Sequence, residues 1–181
     1  MKALLPLFLS VFLFNFGWSQ SLSEIRSEFH AAVKTPDTSK DFHKFISEIE
    51  NPNSTAKAYQ AVSEALLAQV LWNPFSKLSQ VMKYDKIMKE VVESDPTNVE
   101  VRFLRLAIEF NLPSFLGMST HLEEDLNKIV NNLSNISDIQ VDPMFGKYIF
   151  YFLEDTKLCS EQQLLQMKQS FNKVALATEA D

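Results

Sequence analysis

Scarcity of glycine constrains this chain more than any other feature: there are three in 181 residues, and one of them, Gly17, lies in the leading apolar run. Hairpin turns and sheet corners draw on glycine for backbone angles that other residues resist, so a fold of many short strands is disfavoured. Helices need few glycines, because side chains can mark their ends. A side-chain oxygen accepts from an unpaired first-turn amide, and Glu or Gln three residues on reaches back. Ser21 with Glu24, Thr97 with Glu100, Thr120 with Glu123 and Ser160 with Gln163 have that spacing, each before an apolar run. Proline adds a second mark, since the first helical position needs no amide partner; Asn73-Pro74, Asp95-Pro96 and Asp142-Pro143 are read this way.

These marks predict eight helices, at about 21–34, 38–50, 54–72, 75–94, 97–111, 119–134, 143–154 and 160–177. Phe42, Phe45, Ile46 and Ile49 in the second, and Leu164, Met167, Phe171 and Val174 in the eighth, recur at three and four and define one buried stripe each. The fourth is expected to bury Val81, Tyr84, Met88, Val91 and Val92 and to turn Lys83, Lys86, Lys89, Glu90 and Glu93 to solvent. In the third, Ala56, Ala58, Ala61, Ala65 and Ala68 surround Tyr59, Val62 and Leu66; small side chains let a neighbouring helix come close, which suits an antiparallel hairpin. The fifth carries Val99, Val101, Phe103, Leu104, Leu106, Ala107, Ile108 and Phe110 nearly all round and belongs at the centre. Periodicity alone leaves Tyr148 to Leu153 open between helix and buried strand. No second segment alternates to pair with it, so a helix is the reading that satisfies its backbone. The expected fold class is all-α, with packed antiparallel helical hairpins.

Met1-Lys2 supplies one positive charge, and Ala3 to Phe16 follows with only Ser10 and Asn15 as polar interruptions. A spanning helix needs roughly 20 apolar residues, so this run is read as a signal peptide over 1–19, with Gly17 and Ser19 as the small residues before a cut after Ser19. The remaining 20–181 form one expected domain of 162 residues, whose formal charge changes from −6 to −7 as Lys2 is lost. That mild acidity disfavours nucleic acid as a partner. Cys159 is the single cysteine, so stability must come from packing, and no cysteine near the cut offers a lipid anchor. The expected product is exported, periplasmic or secreted, from a bacterium, with no stable membrane span after cleavage. The triplets at Asn53, Asn132 and Asn135 match the glycosylation pattern, which arises often by chance.

Lys86 to Asn98, Lys-Ile-Met-Lys-Glu-Val-Val-Glu-Ser-Asp-Pro-Thr-Asn, resembles the end of a tetratricopeptide repeat's second helix and its Asp-Pro-x-Asn junction. The Trp, Leu-Gly and Tyr of that repeat's first helix do not follow in Val99 to Phe110, so the resemblance implies at most a short degenerate array. A broader likeness runs from Tyr59 to Ile129. There Asn73-Pro74-Phe75, Asp95-Pro96-Thr97-Asn98, Glu100 to Arg105 and Leu112-Pro113-Ser114-Phe115-Leu116 look like a group of uncharacterised exported proteins of Bacteroidetes-type bacteria. That likeness bears on compartment and fold and implies no activity.

Catalytic chemistry is not indicated. His30, His43 and His121 stand apart, and acids such as Glu124 and Asp125 beside His121 already answer the positive amino end of a helix, so no metal is expected. No Gly-x-Ser-x-Gly, phosphate loop or dinucleotide fingerprint occurs, which argues against nucleotide enzymes and against a cofactor. Cys159, near Glu154 and Asp155, lacks the positive surroundings that activate a thiol and is read as a packing residue. Two groups remain as candidate interaction residues. Arg102 and Arg105 lie one turn apart, with Glu109 on the same stripe: they form an internal ion pair with Glu109 or a neighbouring carboxylate, or they hold an anion or a partner's carboxylate. Phe145, Tyr148, Phe150, Tyr151 and Phe152 are core, or in part a docking groove. The expected role is a non-catalytic module with a protein partner in the cell envelope. The alternative is a carrier of a small apolar ligand such as a lipid in a Phe- and Met-lined cavity.

Overall fold

Caps set where most of the helices begin. The computed structural model describes residues 21–133 and 143–178, and every regular element among them is helical. These are α1 (Leu22–Lys34), α2 (Ser39–Ser47), α3 (Ser54–Val70), α4 (Pro74–Ser94), α5 (Val99–Asn111), α6 (Leu122–Leu133), α7 (Pro143–Asp155) and α8 (Glu161–Thr178), with 3-10 turns at Pro36–Thr38 and Ser114–Leu116. Ser21 Oγ accepts from the Glu24 amide at 3.2 Å, and Asn53 Oδ1 from the Ala56 amide at 2.9 Å. Asn73 Oδ1 takes the amides of Phe75 and Ser76 at 2.8 and 3.3 Å, with Pro74 at the first helical position. Ser160 and Gln163 form the full reciprocal box: Ser160 Oγ accepts from the Gln163 amide at 3.3 Å, and Gln163 Oε1 accepts from the Ser160 amide at 2.8 Å.

Two expected caps are displaced. Thr97 does not cap α5; Asn98 does, its Oδ1 accepting from the amides of Glu100 and Val101, both at 3.1 Å. One carboxamide meets two needs here, because its Nδ2 also donates to Asp95 Oδ2 at 2.9 Å and to Thr55 Oγ1 at 3.1 Å, tying the α4–α5 junction to α3. Pro96 accordingly lies in the turn rather than at a helix start, and Glu100 is released from capping to become a buried residue. Asn98→Ala is expected to cost about 1–2 kcal/mol, readable in urea denaturation; a loss within experimental error would show that the cap does not hold this junction. Thr120 likewise does not pair with Glu123: its Oγ1 lies 3.3 Å from His121 Nδ1, and α6 begins one residue after His121, whose carbonyl accepts from the Asp125 amide at 2.9 Å.

Tyr148 to Leu153 is helical, inside α7. The leader 1–19 with its cut after Ser19, the Asn135 triplet, Asp142 and position 134 of the sixth predicted helix lie outside the described residues, as do the side chains of Phe171 and Val174.

α3 and α4 form the most extensive helix pair, followed by α5 with α6. The alanine-rich face of α3 is buried, as are Val81, Tyr84, Met88, Val91 and Val92 of α4. Two apolar clusters result. One joins α1 to α5 around Phe29, Phe42, Ile46, Tyr59, Leu66 and Met88; the other joins α5 to α8 around Phe103, Leu106, Ile129, Ile149, Leu153 and Met167. α5 is central because it serves both, with Val101 and Leu104 in the first and Val99, Phe103 and Leu106 in the second. α1, α3 and α5 begin at residues 22, 54 and 99, an uneven spacing that leaves a tetratricopeptide-like array unconfirmed. No helix among the described residues is long and apolar enough to cross a membrane.

Candidate functional site

A guanidinium buried in a helix interface must find acceptors, because an uncompensated charge there costs several kcal/mol. Arg102 and Arg105 of α5 are both buried, and the first turn of α6 brings them Glu124 and Asp125. Arg105 grips Asp125 through two bonds, Nε to Oδ2 at 2.6 Å and Nη2 to Oδ1 at 2.7 Å. Arg102 Nη1 donates to Asp125 Oδ1 at 2.9 Å and to Glu124 Oε1 at 2.5 Å, while its Nε donates to the Pro96 carbonyl at 2.9 Å. Burial alone works to lower the Arg105 pKa; the hydrogen bond and charge of Asp125, with Glu109 and Glu124, outweigh it and raise the pKa.

Glu109 is not the partner of these arginines. It is buried one turn further on, where its Oε2 accepts from the otherwise unpaired His121 amide at 3.0 Å and its Oε1 lies 2.8 Å from His121 Nδ1. The adjoining cavity, between Arg105, Glu109, His121 and Tyr84, measures about 10 Å³, room for about one water. Arg102, Arg105 and Glu109 therefore serve as internal ties between α5 and α6. His121, Glu124 and Asp125 are spent on the same ties, and no group of His, Cys, Asp and Glu among the described residues could hold a metal ion.

The Arg102 hydrogen bond holds the Glu124 carboxyl below its ordinary value of 4.5, against a smaller opposing effect of burial, with Arg102 and Arg105 charges assisting. A carboxyl whose pKa is lower in the folded than in the unfolded chain adds stability above the unfolded value and loses it as pH falls through the folded one. Denaturation midpoints are thus expected to decline as pH drops below about 4.5. In Glu124→Gln that decline is expected to be shallower; an unchanged pH profile would remove Glu124 from the account.

A second buried polar cluster centres on Glu100. Glu100 Oε1 accepts from Arg26 Nε at 2.9 Å and from the Tyr59 hydroxyl at 2.8 Å, and its Oε2 accepts from Arg26 Nη2 at 2.6 Å. Burial first, then the Glu100 charge and hydrogen bond, push the Tyr59 hydroxyl well above its ordinary pKa. The Arg26 guanidinium also lies 5.0 Å from the Phe145 ring centroid. Arg26 and Glu100 are 74 residues apart, and no local spacing signals their meeting.

The aromatic candidates of α7 are largely core. Phe145, Tyr148 and Phe152, spaced to share one helix face, meet Phe103 of α5 edge to face at 5.7, 5.7 and 5.3 Å between ring centroids. Tyr148 also abuts His30 of α1 at 4.6 Å. Only Tyr151, at 58 % exposure, stands clear, so these residues do not form a docking groove. Cys159 packs against the second cluster, and burial pushes its thiol up to about 11, as expected of a packing residue rather than a nucleophile.

The open apolar surface lies elsewhere. Along α4, Phe75, Leu78 and Met82 recur at three and four with exposures of 83, 42 and 62 %. Beyond α5, Pro113 introduces the turn Ser114–Leu116, which Gly117 closes at φ +64° with open space where a Cβ would stand, so glycine serves the backbone there. That turn holds Phe115 out at 86 % exposure, and Trp72, between α3 and α4, is 97 % exposed. A groove of about 640 Å³ runs between these segments. Its walls are Pro74, Phe75 and Leu78 on one side and Leu112, Pro113, Phe115 and Leu116 on the other, over Ala65, Ala68 and Val81. A second depression of about 570 Å³ shares Phe75 and Leu78 and continues past Met82 to Lys83, Asp85 and Lys86. Asn73-Pro74-Phe75 and Leu112 to Leu116, distant in sequence, thus face each other. The available signal was a pair of phenylalanines in segments punctuated by Pro74, Pro113 and Gly117.

No protein-family model matches the chain, and no curated protein or solved structure matches it.

Proposed function

We propose that this protein is an exported, non-catalytic interaction module whose working surface is the groove between the start of α4 and the turn after α5. The observation that carries the reading is the pair Phe75 and Phe115, exposed at 83 and 86 % on the two sides of an apolar concavity. Water is displaced from such rings at a gain of about 25 cal/mol per Å², and a monomer rarely leaves so much contiguous apolar surface without a partner. The partner is a protein segment in the cell envelope. A photo-crosslinking amino acid at position 115, compared with one at the exposed Leu165 of α8, tests this in the producing cell: a protein adduct of discrete mass at 115 and not at 165 is expected. Absence of any adduct at 115 removes the reading.

Phe75→Ser with Phe115→Ser is expected to abolish a crosslink placed at the groove-lining Leu78 while changing stability by no more than about 0.5 kcal/mol. Loss of the adduct together with unfolding, seen by circular dichroism, would show these rings to be structural. The groove volume also favours a second reading, a carrier of a small apolar ligand, since about 640 Å³ lies within the common range of ligand pockets. Its half-open form and alanine floor fit that reading less well than an enclosed Phe- and Met-lined cavity would. Native mass spectrometry distinguishes the two through a bound ligand mass.

A further inference from the structure

Resting on that docking reading, we infer that the groove receives an amphipathic helix of a partner protein whose flanks are acidic. Among the described residues there is no strand edge, so an extended segment finds no backbone ladder to join. What the surface does offer is helical spacing. Phe75, Leu78 and Met82 span two turns of α4, about 10 Å at 1.5 Å per residue, and a helix laid alongside presents its own apolar residues at the matching intervals. Ala65 and Ala68 floor the groove with side chains short enough to let a helix approach closely. Phe75 and Phe115 rise on either side as aromatic anchors, the type of residue that concentrates binding energy at interfaces.

Charge selects the flanks. The charged residues lining the two depressions are Lys77, Lys83, Lys86 and Asp85. With Lys83 already 3.8 Å from Glu64, Lys77 and Lys86 still face a single aspartate, on a chain whose formal charge is −6. A locally cationic rim on an acidic protein steers and orients acidic partners. The same lysines suit an anionic bilayer, but a flat membrane touches the tips of Phe75 and Phe115 and leaves the alanine floor unfilled. A helix fills it.

The test is selection by the purified protein from a phage library of random peptides of about 16 residues, long enough for four turns. Enriched sequences are expected to carry apolar residues at i, i+3 or i+4, and i+7, with Asp or Glu beside them. A synthetic representative is expected to lose about tenfold in affinity, 1.4 kcal/mol, when its acids become lysine, and to regain it against Lys77→Glu/Lys86→Glu. Phe115→Ala, with its helical circular dichroism intact, is expected to weaken the acidic peptide by about tenfold. Enrichment of basic, proline-rich or non-periodic sequences, or indifference to the lysine reversals, overturns the inference. So does flotation with 3:1 phosphatidylcholine to phosphatidylglycerol vesicles that is abolished by Phe75→Ser/Phe115→Ser, which assigns the surface to a membrane. A protein adduct at position 115 without acidic enrichment defeats the acidic helix and leaves the docking reading standing; neither adduct nor enrichment defeats both.

Discussion

Asp125→Ala is expected to destabilise the protein by about 3–5 kcal/mol, lowering the thermal midpoint by roughly 10 °C or more. The carboxylate is fully buried and takes three hydrogen bonds, from Arg102 at 2.9 Å and from Arg105 at 2.6 and 2.7 Å. Glu124 is half exposed and already engaged by Arg102, so it cannot replace the lost acceptor at Arg105 without moving. The substitution leaves two desolvated guanidiniums short of partners, and that, rather than the lost attraction, is what costs stability. The corollary separates this explanation from a general sensitivity of the site. Arg102→Met, Arg105→Met and Asp125→Leu combined, which removes the charges together, is expected to be more stable than Asp125→Ala alone. If the triple variant proves the weaker of the two in urea denaturation, the buried ties contribute net stability and the argument from stranded charge is wrong.

Phe103→Ala is expected to cost a similar amount, about 3–5 kcal/mol. The ring is fully buried in α5 and is the common neighbour of Phe145, Tyr148 and Phe152, all edge to face. Its removal opens a void that three rings on one helix face cannot close by small shifts, because their backbone is held by α7. Phe103→Leu keeps an apolar volume at the site and is expected to lose clearly less. Because these rings join α7 to α5, the loss is expected first in hydrogen exchange of α7 amides. Equal denaturation midpoints for Phe103→Ala and the parent would show that the second cluster does not depend on this contact.

The arginine pair shows how far local reasoning reaches. Two guanidiniums on an apolar helix require acceptors whatever the fold, so the existence of a partner was legible in Arg102 and Arg105 alone. Its identity was not: Glu109, one turn away on the same stripe, was the nearest candidate in sequence, but the first turn of α6 delivers Asp125 and Glu124, and Glu109 turns to His121 instead. Arg26 and Glu100 make the same point from the other side, since neither looked exceptional until helix packing joined them across 74 residues. Residues 145, 148 and 152 share a helix face, so their packing as one set against α5 was legible in their spacing. The groove escaped because exposure is a property of what fails to cover a residue.

By itself, the amino-acid sequence determined the helices, the caps at Ser21, Asn73 and Ser160, the buried stripes of α3 and α4 and the central place of α5. These follow from interactions within a few residues: a cap satisfies an amide three positions on, and apolar spacing at three and four decides which face avoids water. Only the tertiary structure decided which acid answers which arginine, that α5 divides its faces between two clusters, and that Phe75 and Phe115 flank one open groove. Those outcomes depend on the directions in which helices leave their turns, which no local energy term specifies.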